Sequence, residues 1–177
     1  MLTGQHEPVI RLCKRFRGAG SEDGFWTVTL AEAYLAAGKK TFAEELIEAC
    51  YKGNILLAGE DFDRIREMKA RILFERGKAA EAYEIVETLC RKYPGRIRYR
   101  LTYAAMCMTS GRIPEAMRIY STLRFHVPEN PMFAYELGRC MAKQEKYRNA
   151  HELFALALEN DPSFSKAEYE MAQASFD

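Results

Sequence analysis

Three histidines, His6, His126 and His151, are the side chains best suited to move protons near neutral pH, and five cysteines, Cys13, Cys50, Cys90, Cys107 and Cys140, are the candidate nucleophiles and soft metal ligands. Metal binding and acid–base catalysis need such groups gathered at defined spacings, and no CxxC, HxxxH or HExxH pattern occurs. A Gly-rich phosphate loop, a GxSxG elbow and a paired nucleophile and base are equally missing from the sequence. The expectation is therefore a chain with no catalytic residue, no metal site and no cofactor. The histidines read as surface or structural groups, and Cys107 and Cys140, embedded in apolar helical stretches, as buried inert thiols.

The remaining chemistry lies in charge. Lysine and arginine total 26 against 25 acidic residues, so no overall field draws the protein towards nucleic acid or an anionic membrane. The distribution is uneven, however: residues 91–124 carry 8 basic groups and 1 acidic one, while 125–177 carry 5 and 9. The stretch "CRKYPGRIRYR", Cys90 to Arg100, holds five basic residues and two tyrosines with no acid. That composition suits a solvated helical face first, an acidic protein partner second, and a weak nucleic-acid contact last.

The elements that must position these groups follow from composition and periodicity. A chain of 177 residues with 48% apolar content is long and apolar enough for a buried core. The odd number and wide spacing of the cysteines argue against a disulfide framework and fit a reducing compartment. The first twenty residues lack the apolar centre and small-residue cleavage site of a secretory signal, and no apolar run is long enough for a membrane span. A cytoplasmic protein without membrane insertion is expected.

Internal repetition is the strongest signal. Ala82, Ala116 and Ala150 are each 34 residues apart, and so are Pro94, Pro128 and Pro162. In the same register Val86, Tyr120 and Phe154 are bulky and apolar, and Ala70, Ala104 and Gly138 are small. A more diverged copy upstream supplies Ala31, Tyr34, Gly38 and Ala43, if about five residues, Ala58 to Phe62, are inserted after it. Gly38, Gly77 and Gly111 fall where each copy must turn, a place that favours left-handed backbone. Pro114 suits the first turn of a helix, where no intrahelical donor is required.

This pattern resembles the tetratricopeptide repeat family, a helix-turn-helix unit with W-x2-L-G-x2-Y, then A-x3-F, then P. The best copy, Pro131 to Phe164, places Leu137, Gly138, Ala150, Phe154, Ala157 and Pro162 at the family positions. Ala134 stands where the large aromatic usually does, and Met141 replaces the tyrosine. The resemblance implies an all-α, right-handed superhelical solenoid. It implies repeats at 24–57, 63–96, 97–130 and 131–164, a flanking helix within 1–23 and a capping helix within 165–177, all in one array.

It also implies a function. First helices of such arrays line a concave groove through repeat positions 2, 5, 9 and 12, which here are Phe25, Val28, Glu32 and Leu35; Arg64, Glu67, Arg71 and Phe74; Arg98, Leu101, Ala105 and Met108; Met132, Tyr135, Arg139 and Ala142. The expected ligand-binding residues are Arg64, Arg71, Phe74, Arg98, Leu101, Met108, Tyr135 and Arg139, holding a peptide or protein segment, with an acidic partner suited to the arginines. The protein is thus expected to be a non-enzymatic interaction module, an adaptor, scaffold or co-chaperone. The clamp for chaperone tails is not matched, because its sites hold Val28, Glu32, Met68, Arg98 and Thr102, of which Arg98 alone has the required charge. Alternatives are a chaperone like those of type III translocators, the regulatory repeat portion of a larger enzyme, or a weak nucleic-acid binder through residues 91–100. Self-association through edge faces, including Phe176, is a further expectation.

Overall fold

A computed structural model of the chain describes residues 6–17, 23–57 and 59–174. Among these, all regular structure is helical, in the order α1 (Glu7–Phe16), α2 (Asp23–Ala36), α3 (Lys40–Tyr51), α4 (Gly59–Glu75), α5 (Ala79–Lys92), α6 (Ile97–Thr109), α7 (Ile113–His126), α8 (Pro131–Ala142), α9 (Tyr147–Asn160) and α10 (Ser165–Ala174). The chain forms two compact units, Met1–Leu89 and Cys90–Asp177, with the boundary inside α5. The fold is an all-α repeat fold of helical hairpins.

One stripe builds the second helix of every hairpin. Ala43, Ile47 and Cys50 on α3, Ala82, Val86 and Leu89 on α5, Ala116, Tyr120 and Leu123 on α7, and Ala150, Phe154 and Ala157 on α9 are all buried. Their i, i+4, i+7 spacing puts them on one side of each helix, and glutamates such as Glu81, Glu84 and Glu87 of α5 stay out of that buried stripe. The alanine lets the hairpin close; the larger residue fills the space. The contact is tightest at Gly138, where an added Cβ would lie 2.5 Å from Cε1 of Phe154. Glycine is required there by the ring opposite it, so the small residue and the aromatic are one device.

The turns repeat as closely as the stripes. Gly38, Gly77 and Gly111 adopt φ of +72°, +80° and +76°. The next residue in each case donates its N–H to the carbonyl five back: Lys39 to Tyr34 at 2.8 Å, Lys78 to Leu73 at 2.9 Å and Arg112 to Cys107 at 2.9 Å. This closes the first helix with satisfied carbonyls. The fourth hairpin makes the same bond, Lys146 to Met141 at 3.0 Å, but the left-handed position is Glu145, at φ +60°. Pro94, Pro128 and Pro162 follow the second helices; Asp161 before the last is already extended, and Val127 before Pro128 has left the helical region at φ −138° and ψ 71°, as the following ring demands. Asn130 caps α8 by accepting from the Met132 N–H at 3.0 Å, with Pro131 at the first position.

Of the expected insertion, residues 58–62, Ala58 lies outside the described residues. Gly59 to Phe62 extend α4 by about one turn, to 17 residues. The first and last hairpins each carry a flanking helix. Ile10 and Cys13 of α1 are buried against the first hairpin, while Ala167 of α10 is buried and Met171 packs beside Tyr135, Ala150 and Phe154. Phe176 lies outside the described residues.

Candidate functional site

In the unit Met1–Leu89, two of the expected inward residues meet. Arg64 Nη2 of α4 donates to Glu32 Oε2 of α2 at 2.9 Å, and Asp61 is 3.9 Å from the same guanidinium. Repeat positions 2 and 9 of adjacent first helices therefore share a face in this unit. Arg64 is occupied there. Arg71, two turns further along α4, is exposed and meets no carboxylate among the described residues. The other α4 cations are engaged: Arg66 with Asp63 at 3.1 Å, and Lys69 with Glu48 at 3.1 Å while lying 3.6 Å from the Tyr51 ring centroid. Burial pushes the Tyr51 hydroxyl up, with Arg66 opposing the shift. Phe74 is half-buried and packs edge-on against Tyr83 of α5. Val28 and Glu67, also expected to face inwards, are buried. Their place on α2 and α4 carries them from the open face into the contact between helices.

In the unit Cys90–Asp177, Arg98 is exposed and Leu101 half-buried on α6. Met108 and Tyr135 stand differently from the expectation of an open lining. Met108 is buried with its sulfur 3.1 Å from Cys140 Sγ, and Tyr135 is buried against Phe154 and Phe164, with ring centroids at 5.9 and 5.3 Å. The physical reason for Tyr135 is α10, whose packing on the last hairpin places that ring in the same apolar cluster as Ala167. Arg139 is half-buried, lies 5.8 Å from the Tyr135 centroid and pairs with Glu136 at 3.0 Å. Burial pushes the Glu136 carboxyl up, and Arg139 opposes that shift.

Most of the thiols are buried. Cys13, Cys50, Cys107 and Cys140 are buried, Cys90 is half-buried, and none of the five is in a disulfide. Burial raises Cys140 to about 12, far from thiolate chemistry at neutral pH. Among the described residues no group of three potential ligands is placed to hold a metal, and no helix is long and apolar enough to cross a membrane.

A recess of about 270 Å³ that the repeat pattern does not announce is lined by Pro94, Gly95, Ile97, Arg100, Leu123 and His126. Its one sequence signal is the basic stretch ending at Arg100; the contribution of α7 depends on tertiary packing.

A family model described as tetratricopeptide repeat matches residues 108–176. No curated protein matches the sequence. Among solved structures, a thermophilic tetratricopeptide-repeat protein of Thermus thermophilus is 18% identical and aligns over 98% of this chain and 92% of its own, with a TM-score of 0.75. YrrB, described as having an unusual peptide-binding site, is 13% identical over 94% and 83% of the two chains, TM-score 0.63. PcrH from Pseudomonas aeruginosa is 21% identical over 67% of this chain and 90% of its own, TM-score 0.55, and has also been solved with the chaperone-binding regions of PopB and PopD.

Proposed function

Because the chain is a tetratricopeptide repeat protein, a fold that suggests protein–protein interaction, we propose that it is a non-enzymatic module that holds a peptide or protein segment on the inward face of its first helices. The observation carrying this reading is the state of α4. Glu32 and Arg64 use each other, whereas Arg71 on the same helix is exposed and has no carboxylate among the described residues. An arginine in that state has its fork of donors available for a partner's carboxylate or carbonyl. Leu101, half-buried on α6, offers an apolar contact on the first helix of the second unit. Tyr135 and Met108, being buried, would support this face rather than touch a ligand.

A preformed helical face needs little ordering on binding, so a few anchors can supply most of the affinity. The test is capture of partners from the source cell with the intact chain, followed by affinity measurement on a captured protein. The double variant Arg71→Glu, Arg98→Glu is expected to weaken binding at least about tenfold, with circular dichroism confirming that it folds. Unchanged affinity would remove the inward face as the site.

The likeness to PcrH favours a second reading, chaperoning of a secreted translocator segment. Co-expression with a hydrophobic cargo, and collapse of that cargo's solubility without this chain, would support it; a cargo equally soluble alone would not.

A further inference from the structure

The recess in the second unit lies off the inward stripe, since Ile97, Arg100, Leu123 and His126 occupy repeat positions 1, 4, 27 and 30. Its lining combines apolar and cationic groups. Leu123 is 2% exposed, Ile97 is 38% exposed, and Pro94 and Gly95 add uncharged surface. Beside it Phe125 is 82% exposed, its ring edge-on to His126 at 5.5 Å.

The arginine of the recess, Arg100, meets no carboxylate among the described residues, and neither do Arg91 and Arg124. Glu115, the one acid between positions 91 and 124, is held by Arg112, which also keeps its carboxyl below the usual range. In the first unit, by contrast, a cation beside an apolar surface has its own partner, as Lys69 does with Glu48.

Size narrows the occupant. Pockets for drug-sized ligands span about 300–1,000 Å³, so a recess of about 270 Å³ suits one bulky side chain better than a whole cofactor. Nucleic acid is disfavoured because a phosphate backbone gains little from an apolar lining, and a net charge of +1 supplies no broad field for a polyanion. We propose that this recess docks an acidic segment of a partner protein, which inserts one leucine-sized side chain against Leu123 and Ile97 and sets a flanking carboxylate on Arg100. The apolar contact would fix the register, and the guanidinium would select the charge.

The inference rests on the peptide-binding reading but on different residues, so the two can fail separately. The probe is a fluorescein-labelled synthetic peptide of aspartate and glutamate with one central leucine, compared with its serine analogue by fluorescence anisotropy on the intact chain. The leucine peptide is expected to bind about tenfold more tightly. Gly95→Phe would fill the recess without backbone strain, since nothing lies within 4 Å of a Cβ there. It is expected to erase the preference for leucine, and Arg100→Glu to weaken both peptides about tenfold. Circular dichroism and melting curves matching the parent protein would show that both variants fold, and the peptide pair tests the proposal on the unmodified chain in any case.

Equal affinity for the two peptides, or undiminished preference in Gly95→Phe, would overturn the assignment. Displacement of the peptide by a thymidine oligonucleotide at equal concentration would also overturn it, in favour of nucleic acid. Loss of the peptide in Arg71→Glu, Arg98→Glu with retention in Gly95→Phe would place the acidic segment on the inward face and overturn the recess. The opposite pattern would support the recess and count against the inward face.

Discussion

The two units use charge in opposite ways. In residues 1–89, cations reach carboxylates on other helices: Lys39 pairs with Glu7 at 2.8 Å, Lys40 with Glu75 at 2.5 Å, Arg64 with Glu32 at 2.9 Å and Arg76 with Glu44 at 2.6 Å. In residues 90–177, Arg112 with Glu115, Arg139 with Glu136 and Arg148 with Glu152 are pairs between residues about one helical turn apart, and Arg91, Arg100 and Arg124 meet no carboxylate among the described residues. The first unit uses these charges to join helices; in the second, Arg91, Arg100 and Arg124 are left without a carboxylate among the described residues. A near-neutral total also conceals an uneven distribution within the second unit, since 91–124 is strongly basic and 125–177 acidic.

The sharpest way to break the second unit without touching its charge is at Gly138. Gly138→Ala would push a methyl into the Phe154 ring and is expected to cost about 1–3 kcal/mol, measured by urea unfolding. Hydrogen exchange should place the loss of protection in α8, α9 and α10. An unchanged midpoint would mean that the ring can move, and that the close approach is not what fixes this hairpin.

The comparison of charges itself is tested by a matched pair. Lys69→Ala in the first unit removes the contacts to Glu48 and to the Tyr51 ring, and is expected to cost about 1–2 kcal/mol. Arg91→Ala, on an exposed cation that meets no carboxylate among the described residues, is expected to stay within about 0.5 kcal/mol. Equal effects in thermal melts would erase the distinction between the two units.

The smallest effect is a gain. Glu145 holds a left-handed backbone that glycine holds in the other three turns, so Glu145→Gly is expected to stabilise by up to about 1 kcal/mol. A loss on calorimetry would mean that the glutamate side chain contributes more than its backbone strain costs.

Much of this was legible in the residues. The alanine and bulky-residue pairs at fixed spacing located the second helix of each hairpin, and Gly38, Gly77 and Gly111 located three of the turns. The fourth turn was hidden because hydrogen bonding at Lys146 imposes the conformation on a residue that does not favour it. The candidate binding residues were less legible. Spacing placed Arg64, Arg71 and Arg98 on first helices, but burial of Tyr135 depends on α10, and occupation of Arg64 depends on Glu32, 32 residues away.

The sequence by itself determined the repeat, its register and the residues that close each hairpin, because those depend on helical periodicity and on small residues facing large ones within one unit. The tertiary structure alone decided which charged and aromatic side chains remain available to a partner. Exposure and ion pairing are set by neighbours brought in from other helices. Arg71 and Arg100 therefore meet no carboxylate among the described residues, while Arg64 and Tyr135, equally conspicuous in the sequence, are already used.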